Sequence, residues 1–155
     1  IWDTQERRLP DWSQMKLPGD PAFDEYLLRE YRESVDELTA GGAAILWVQQ
    51  PCARSMEVNG VKGASTGKYD TARVRYLNES LIPRLVEARP EVRTYDLFSE
   101  LCPQGEFVES MGGVEQLRPD GVHFSTEGSL WLAYTFGGDM LEAGLKEDES
   151  QTDTQ

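Results

Sequence analysis

Between Gly41-Gly42 and Gln49-Gln50-Pro51 the chain runs through Ala43-Ala44-Ile45-Leu46-Trp47-Val48, six apolar residues without a polar interruption. The run has the length of a strand and lacks the alternation of a strand with one wet face, so it reads as a strand covered on both faces. Such a strand belongs inside a parallel sheet, with neighbours on each side and helices above and below. The flanking segments agree. Asp20-Pro21 supply a cap and a first-turn proline, and Phe23, Leu27, Tyr31, Val35 and Leu38 recur near helical spacing, which predicts a helix over 21–40. Asp70 can cap a second helix whose apolar face is Val74, Leu77, Leu81, Leu85 and Val86, with Pro83 expected to kink it and Pro90 to end it.

Val92-Arg93-Thr94-Tyr95-Asp96-Leu97 reads as a second strand, and the segment 105–116 is ambiguous, with Phe107-Val108 a candidate for a brief third. Residues 1–20 show no clear periodicity and read as a long loop. A glycine-rich stretch with Gly60, Gly63, Ser65, Thr66 and Gly67 reads as a rim loop. Helix, strand, helix, strand, loop, helix is the order of an α/β domain with a parallel sheet. One companion strand is too few for a strand apolar on both faces, so either the segment 105–116 pairs unexpectedly or, the favoured alternative, further strands precede Ile1.

At 155 residues the chain is one domain's worth. Its net charge of −13 argues against a sequence-independent grip on nucleic-acid phosphates. Part of that charge lies in residues 145–155, expected to be a disordered acidic tail after a domain spanning 1–144. No apolar stretch approaches the roughly 20 residues of a membrane-spanning helix, and no signal peptide is recognisable. Two cysteines are too few for a structural zinc site, and no cofactor or metal is expected. Cys52 and Cys102 each sit in a proline-marked loop after a predicted strand. If those strands are parallel neighbours, both loops leave the same sheet edge and a bridge can form. A disulfide or two free thiols are the alternatives, and the disulfide, the expected one, implies an oxidising compartment.

The chemistry-bearing stretch is Leu117-Arg118-Pro119-Asp120-Gly121-Val122-His123-Phe124, which holds the only histidine. Pro119 and Gly121 break regular structure, so Asp120 and His123 fall on a tight loop where the carboxylate can reach an imidazole nitrogen. Ser125 then caps the apolar run Leu130-Trp131-Leu132-Ala133-Tyr134 as a helix. Ser65, Ser125 and Ser129 lie near glycines, yet none occupies a strand-to-helix elbow of a nucleophile. Phe23, Tyr26, Tyr31, Trp47, Trp131 and Phe136 read as core. Trp2 and Trp12 are candidates for lining a sugar site, with core packing the simpler account.

Asp120-Gly121-Val122-His123 followed by Phe124-Ser125-Thr126-Glu127-Gly128 resembles the last motif and final helix of SGNH (GDSL-type) hydrolases. Pro51-Cys52, Leu101-Cys102-Pro103 and Arg118-Pro119-Asp120 look more particularly like the SGNH domains attached to bacterial membrane-bound sugar O-acyltransferases. The resemblance implies a three-layer α/β/α sandwich (flavodoxin-like) with a parallel sheet, covered here by its C-terminal part. It implies Ser-His-Asp chemistry on acyl esters, first of all acetyl, of cell-envelope carbohydrate, with His123 as base and Asp120 orienting it. The family's Gly-Asp-Ser nucleophile does not occur in this sequence, where Gly19-Asp20 is followed by Pro21. The family's asparagine motif falls near Trp2-Asp3, with tryptophan in the asparagine slot, which makes this pair the weak substrate-binding candidate. The expected partners are an acylated carbohydrate and a membrane acyltransferase domain on the same full-length chain, in an extracytoplasmic, membrane-tethered setting. The alternative is a non-catalytic SGNH-like module that binds glycan.

Overall fold

Asp20 caps the first helix as its sequence predicts: its side chain accepts the Ala22 N–H, and Pro21 occupies the first turn of α1, Pro21–Thr39. The computed structural model describes residues 2–54, 57–58, 61–62 and 70–145. Phe23, Leu27, Leu28, Tyr31 and Val35 form the buried stripe of α1, and fully burying such side chains contributes about 1.5–3 kcal/mol each. Trp12 belongs to the same core, with its ring 6.0 Å from Phe23 and 5.9 Å from Tyr26. The irregular opening segment is thereby pinned to α1, and Trp12 is a packing residue rather than a sugar platform.

The apolar run forms β1, Ile45–Val48. Residues 57–58 and 61–62 pair antiparallel as two short strands, β2 and β3. Asp70 caps α2, Thr71–Tyr76, by accepting the Ala72 and Arg73 N–H groups. The expected kink takes a different form. The helix widens into a π turn over Leu77–Leu81 before α3, Ile82–Ala88, and the Ile82 N–H reaches back to the Leu77 carbonyl. Pro83 has no N–H and its ring crowds the carbonyl one turn back, so the preceding turn opens instead of bending sharply.

β4, Val92–Tyr95, pairs in parallel with β1 in the register Ile45↔Val92 to Val48↔Tyr95. The strand is shorter than its sequence suggested because Asp96 leaves it to cap α4, Leu97–Leu101, accepting from the Ser99 N–H at 2.9 Å and the Ser99 hydroxyl at 2.6 Å. No strand forms at Phe107-Val108; the short bridge in that segment joins Met111 and Val114 instead. The last helix, α5, spans Thr126–Leu145.

The protein is thus a mixed α/β structure built on a two-stranded parallel sheet. Ile45 and Trp47 face the core of α1 and α3, while Leu46 meets α5 at Gly144. Helices therefore cover both faces of β1, as its continuous apolar character required. Among the described residues no strand pairs with its second edge. Val48 is exposed, and so is a stripe along α5 formed by Leu130, Tyr134, Leu141 and Leu145. Ala44, Leu46, Met140, Leu141, Gly144 and Leu145 line an apolar hollow of about 220 Å³ between the strand and that helix. No helix is long and apolar enough to cross a membrane among the described residues. The expected tail lies outside those residues beyond Leu145.

Candidate active site

Gly121 decides the shape of the Asp120–His123 loop. Its φ is +81°, and a Cβ there would lie 2.3 Å from the Cβ of Arg54, so both its conformation and its contact require glycine. The turn brings the Val122 and His123 N–H groups onto Asp120 Oδ1, at 2.9 and 2.7 Å. The other carboxylate oxygen, Oδ2, lies 2.6 Å from His123 Nδ1. The His123 hydrogen bonds, with help from the Val122 N–H, hold the Asp120 carboxyl well below its ordinary value. An ionised Asp120 makes Nδ1 the protonated nitrogen and leaves the Nε2 lone pair available. No described residue bonds to Nε2, and the side chain is 73% exposed. The pair therefore has the electronic form of an oriented general base.

α5 starts directly behind this loop. Ser125 caps it as predicted, accepting the Gly128 N–H at 2.9 Å, while the Ser125 N–H donates to the Leu117 carbonyl at 3.0 Å. A Cβ on Gly128 would sit 2.6 Å from that same carbonyl, so glycine lets the first helical turn pack flush against the loop. Ser125 is accordingly occupied as a cap and not poised as a nucleophile; Ser65 lies outside the described residues.

His123 lines a cavity of about 230 Å³ with Gln50, Pro51, Cys52, Ala53, Arg118, Val122 and Phe124. Residues from the end of β1 and from the Asp120–His123 loop thus share one hollow, at the carboxyl end of the sheet where ligands enter open parallel folds. The floor is fixed covalently, because Cys52 and Cys102 form a disulfide between residues 50 apart in sequence. No serine is among the described residues that line this cavity.

Asp3 goes elsewhere. It pairs with Arg7 at 2.7 Å and lines a neighbouring cavity of about 350 Å³ together with Tyr31, Trp47, Gln49 and Asn78. Burial, and then the Asp3 carboxylate, push the Tyr31 hydroxyl up from its ordinary value. The two cavities share Gln50 and Pro51, so Asp3 adjoins the His123 pocket without entering it. The Trp2 side chain lies outside the described residues.

Three contributors were missed in sequence. Asn78, buried in the π turn, accepts the Gln50 N–H at 3.2 Å and donates to the Gln50 carbonyl at 2.8 Å, clamping the segment between the cavities. Its signal was a polar residue in step with Val74, Leu81 and Leu85. Arg54 crosses to the Asp120–His123 loop through its N–H, 3.0 Å from the Gly121 carbonyl, and pairs with Glu109 at 2.9 Å. Arg118 is buried beneath the pocket; nothing but its place before Pro119-Asp120 marked it. Among the described residues, no cluster of three His, Cys, Asp or Glu side chains is placed to hold a metal ion. Comparison with protein-family models, with curated proteins and with solved structures finds no match for this chain.

Proposed function

We propose that the protein carries the base and orienting acid of an ester hydrolase or O-acyltransferase of the SGNH type, acting on acyl esters, first of all acetyl, of cell-envelope carbohydrate. The nucleophilic serine comes from outside this chain. The observation that carries the reading is the 2.6 Å contact of His123 Nδ1 with Asp120, whose remaining oxygen is held by two backbone N–H groups. In this arrangement Nε2 takes the proton of an attacking serine hydroxyl, and Asp120 stabilises the imidazolium that results. The proton then passes to the departing sugar oxygen, leaving an acyl-serine. Water or a second sugar hydroxyl, deprotonated in turn by His123, takes the acyl group and frees the serine.

The three-layer α/β/α sandwich is the fold that accompanies this reading. Support comes from helices on both faces of β1, its second edge without a described strand, and the apolar stripe of α5 beside that edge, which further strands and a helix would cover. The disulfide agrees with an extracytoplasmic setting, where an acylated carbohydrate and a membrane acyltransferase domain on the same full-length chain would be the partners.

The test is cleavage of an aryl acetate, and acetyl transfer to a sugar acceptor, by the protein in its longest natural form. His123→Ala should lower kcat/KM by roughly 10³-fold or more, and Asp120→Asn by roughly 10²–10⁴-fold. Activity indifferent to His123→Ala sinks the assignment. Glycan binding without turnover in the longest form would assign a recognition module instead.

A further inference from the structure

Arg118 is a costly residue for its position. It is 1% exposed, its Nε has no hydrogen-bond partner, and no carboxylate among the described residues pairs with it. Burying a guanidinium without a counter-charge is unfavourable, and burial pushes its pKa down to about 10, which still leaves it charged at neutral pH. Partial compensation comes from Phe107, whose ring centroid is 4.6 Å from the guanidinium carbon, and from Phe124 at 5.9 Å. The one strong polar contact it makes is structural: Nη1 donates to the carbonyl oxygen of Cys52, and Nη2 lies 3.8 Å from the Cys52 sulfur.

That contact has a counterpart. Two residues further on from Cys52, the Arg54 N–H donates to the carbonyl of Gly121 at 3.0 Å. Asp120 thus lies between two ties, one at 118 and one at 121, that fasten its loop to the segment 52–54. The disulfide in turn fixes that segment to Cys102 at the end of α4. Without the Arg118 tie the loop would meet the segment 52–54 only through the Arg54–Gly121 bond, with Leu117 still held by Glu109 and Ser125, and the backbone that carries Asp120 would be less firmly set against an imidazole that is itself exposed.

We propose that Arg118 is a positioning residue, which sets the Asp120–His123 contact by tying the loop to the Cys52 carbonyl. This rests on the reading of Asp120 and His123 as a functional pair, but its test needs neither activity nor a nucleophile. His123 is the only histidine, so its imidazole signals can be followed by NMR without assignment ambiguity. Among the described residues, the charged groups in the loop or bonded to it are Asp120, Arg118, and Arg54 with its partner Glu109. Direct action of the Arg118 charge on the ring cancels in a double-mutant cycle, because it is present or absent in both arms.

In the wild-type background Asp120→Asn should displace the 15N signal of His123 Nδ1, as its contact with the carboxylate is lost. In an Arg118→Met background the same substitution should move it by less than about a third of that. Arg118→Lys keeps a charge and a donor but loses the planar fork stacked on Phe107, and should leave an intermediate displacement. A wild-type-sized displacement in Arg118→Met overturns the proposal, as does one in Arg118→Lys if the Met variant does not fold. An Nδ1 signal unmoved by Asp120→Asn in the wild-type background is a different failure: it would show that the pair itself is not in contact.

Discussion

Severing the Cys52–Cys102 bridge perturbs the element on which the candidate site stands. The cross-link closes a loop between residues 50 apart, and in the chain-entropy account a loop of about 50 residues constrains the unfolded ensemble by about 4 kcal/mol at 25 °C. Replacing Cys102 also removes the sulfur that accepts the Cys52 N–H at 2.9 Å, inside a buried cluster with Val74, Leu97, Leu101 and Leu117. For a chain of this size, 4 kcal/mol corresponds to a fall in Tm of about 8–16 °C. The double variant Cys52→Ala/Cys102→Ala, compared with the oxidised protein in urea titrations followed by tryptophan fluorescence, should show that loss, with a larger m-value as its unfolded state expands. Alkylation before and after reduction, read by mass spectrometry, checks the bridge directly. Two thiols alkylated in unreduced, denatured protein would refute the argument at its root; an intact bridge whose removal lowers stability by less than about 1 kcal/mol would refute the loop-entropy reasoning.

Two further outcomes are expected. Gly121→Ala places a Cβ 2.3 Å from the Arg54 Cβ at a φ of +81°; the left-handed backbone alone costs about 1–2 kcal/mol, so urea stability should fall by at least that, and the NMR signals of the His123 ring should shift as the loop separates from Arg54. The Asp120 carboxyl is held below its ordinary value of 3.8 by His123 and by backbone N–H groups. A depressed carboxyl adds stability above that value and loses it as pH falls through the folded-state pKa. The stability gap between wild type and Asp120→Asn should therefore be present at about pH 6 and shrink steadily below about pH 4. A gap that widens on acidification would contradict the sign.

Much of the fold was legible because it is governed by neighbours in sequence. Asp20, Asp70 and Ser125 cap helices where the chain said they would, since a cap is a hydrogen bond to an N–H two or three residues on. The Asp120–His123 contact is equally local: a glycine turn folds the carboxylate onto a ring three positions away. The continuous apolar run foretold a strand with helices on both faces, and the helices are there, although Ile45, Leu46 and Trp47 are half-buried and Val48 is exposed. Residues whose partners are distant were not legible in the same way. Asn78 reaches back 28 positions to the Gln50 backbone, Arg118 reaches 66 to Cys52, and Asp3 was drawn into a cavity beside the one that holds His123. The sequence by itself determined that Asp120 and His123 would meet on one tight loop. Packing decided what holds that pair in place, because hydrogen bonds over such separations depend on how helices settle against the sheet.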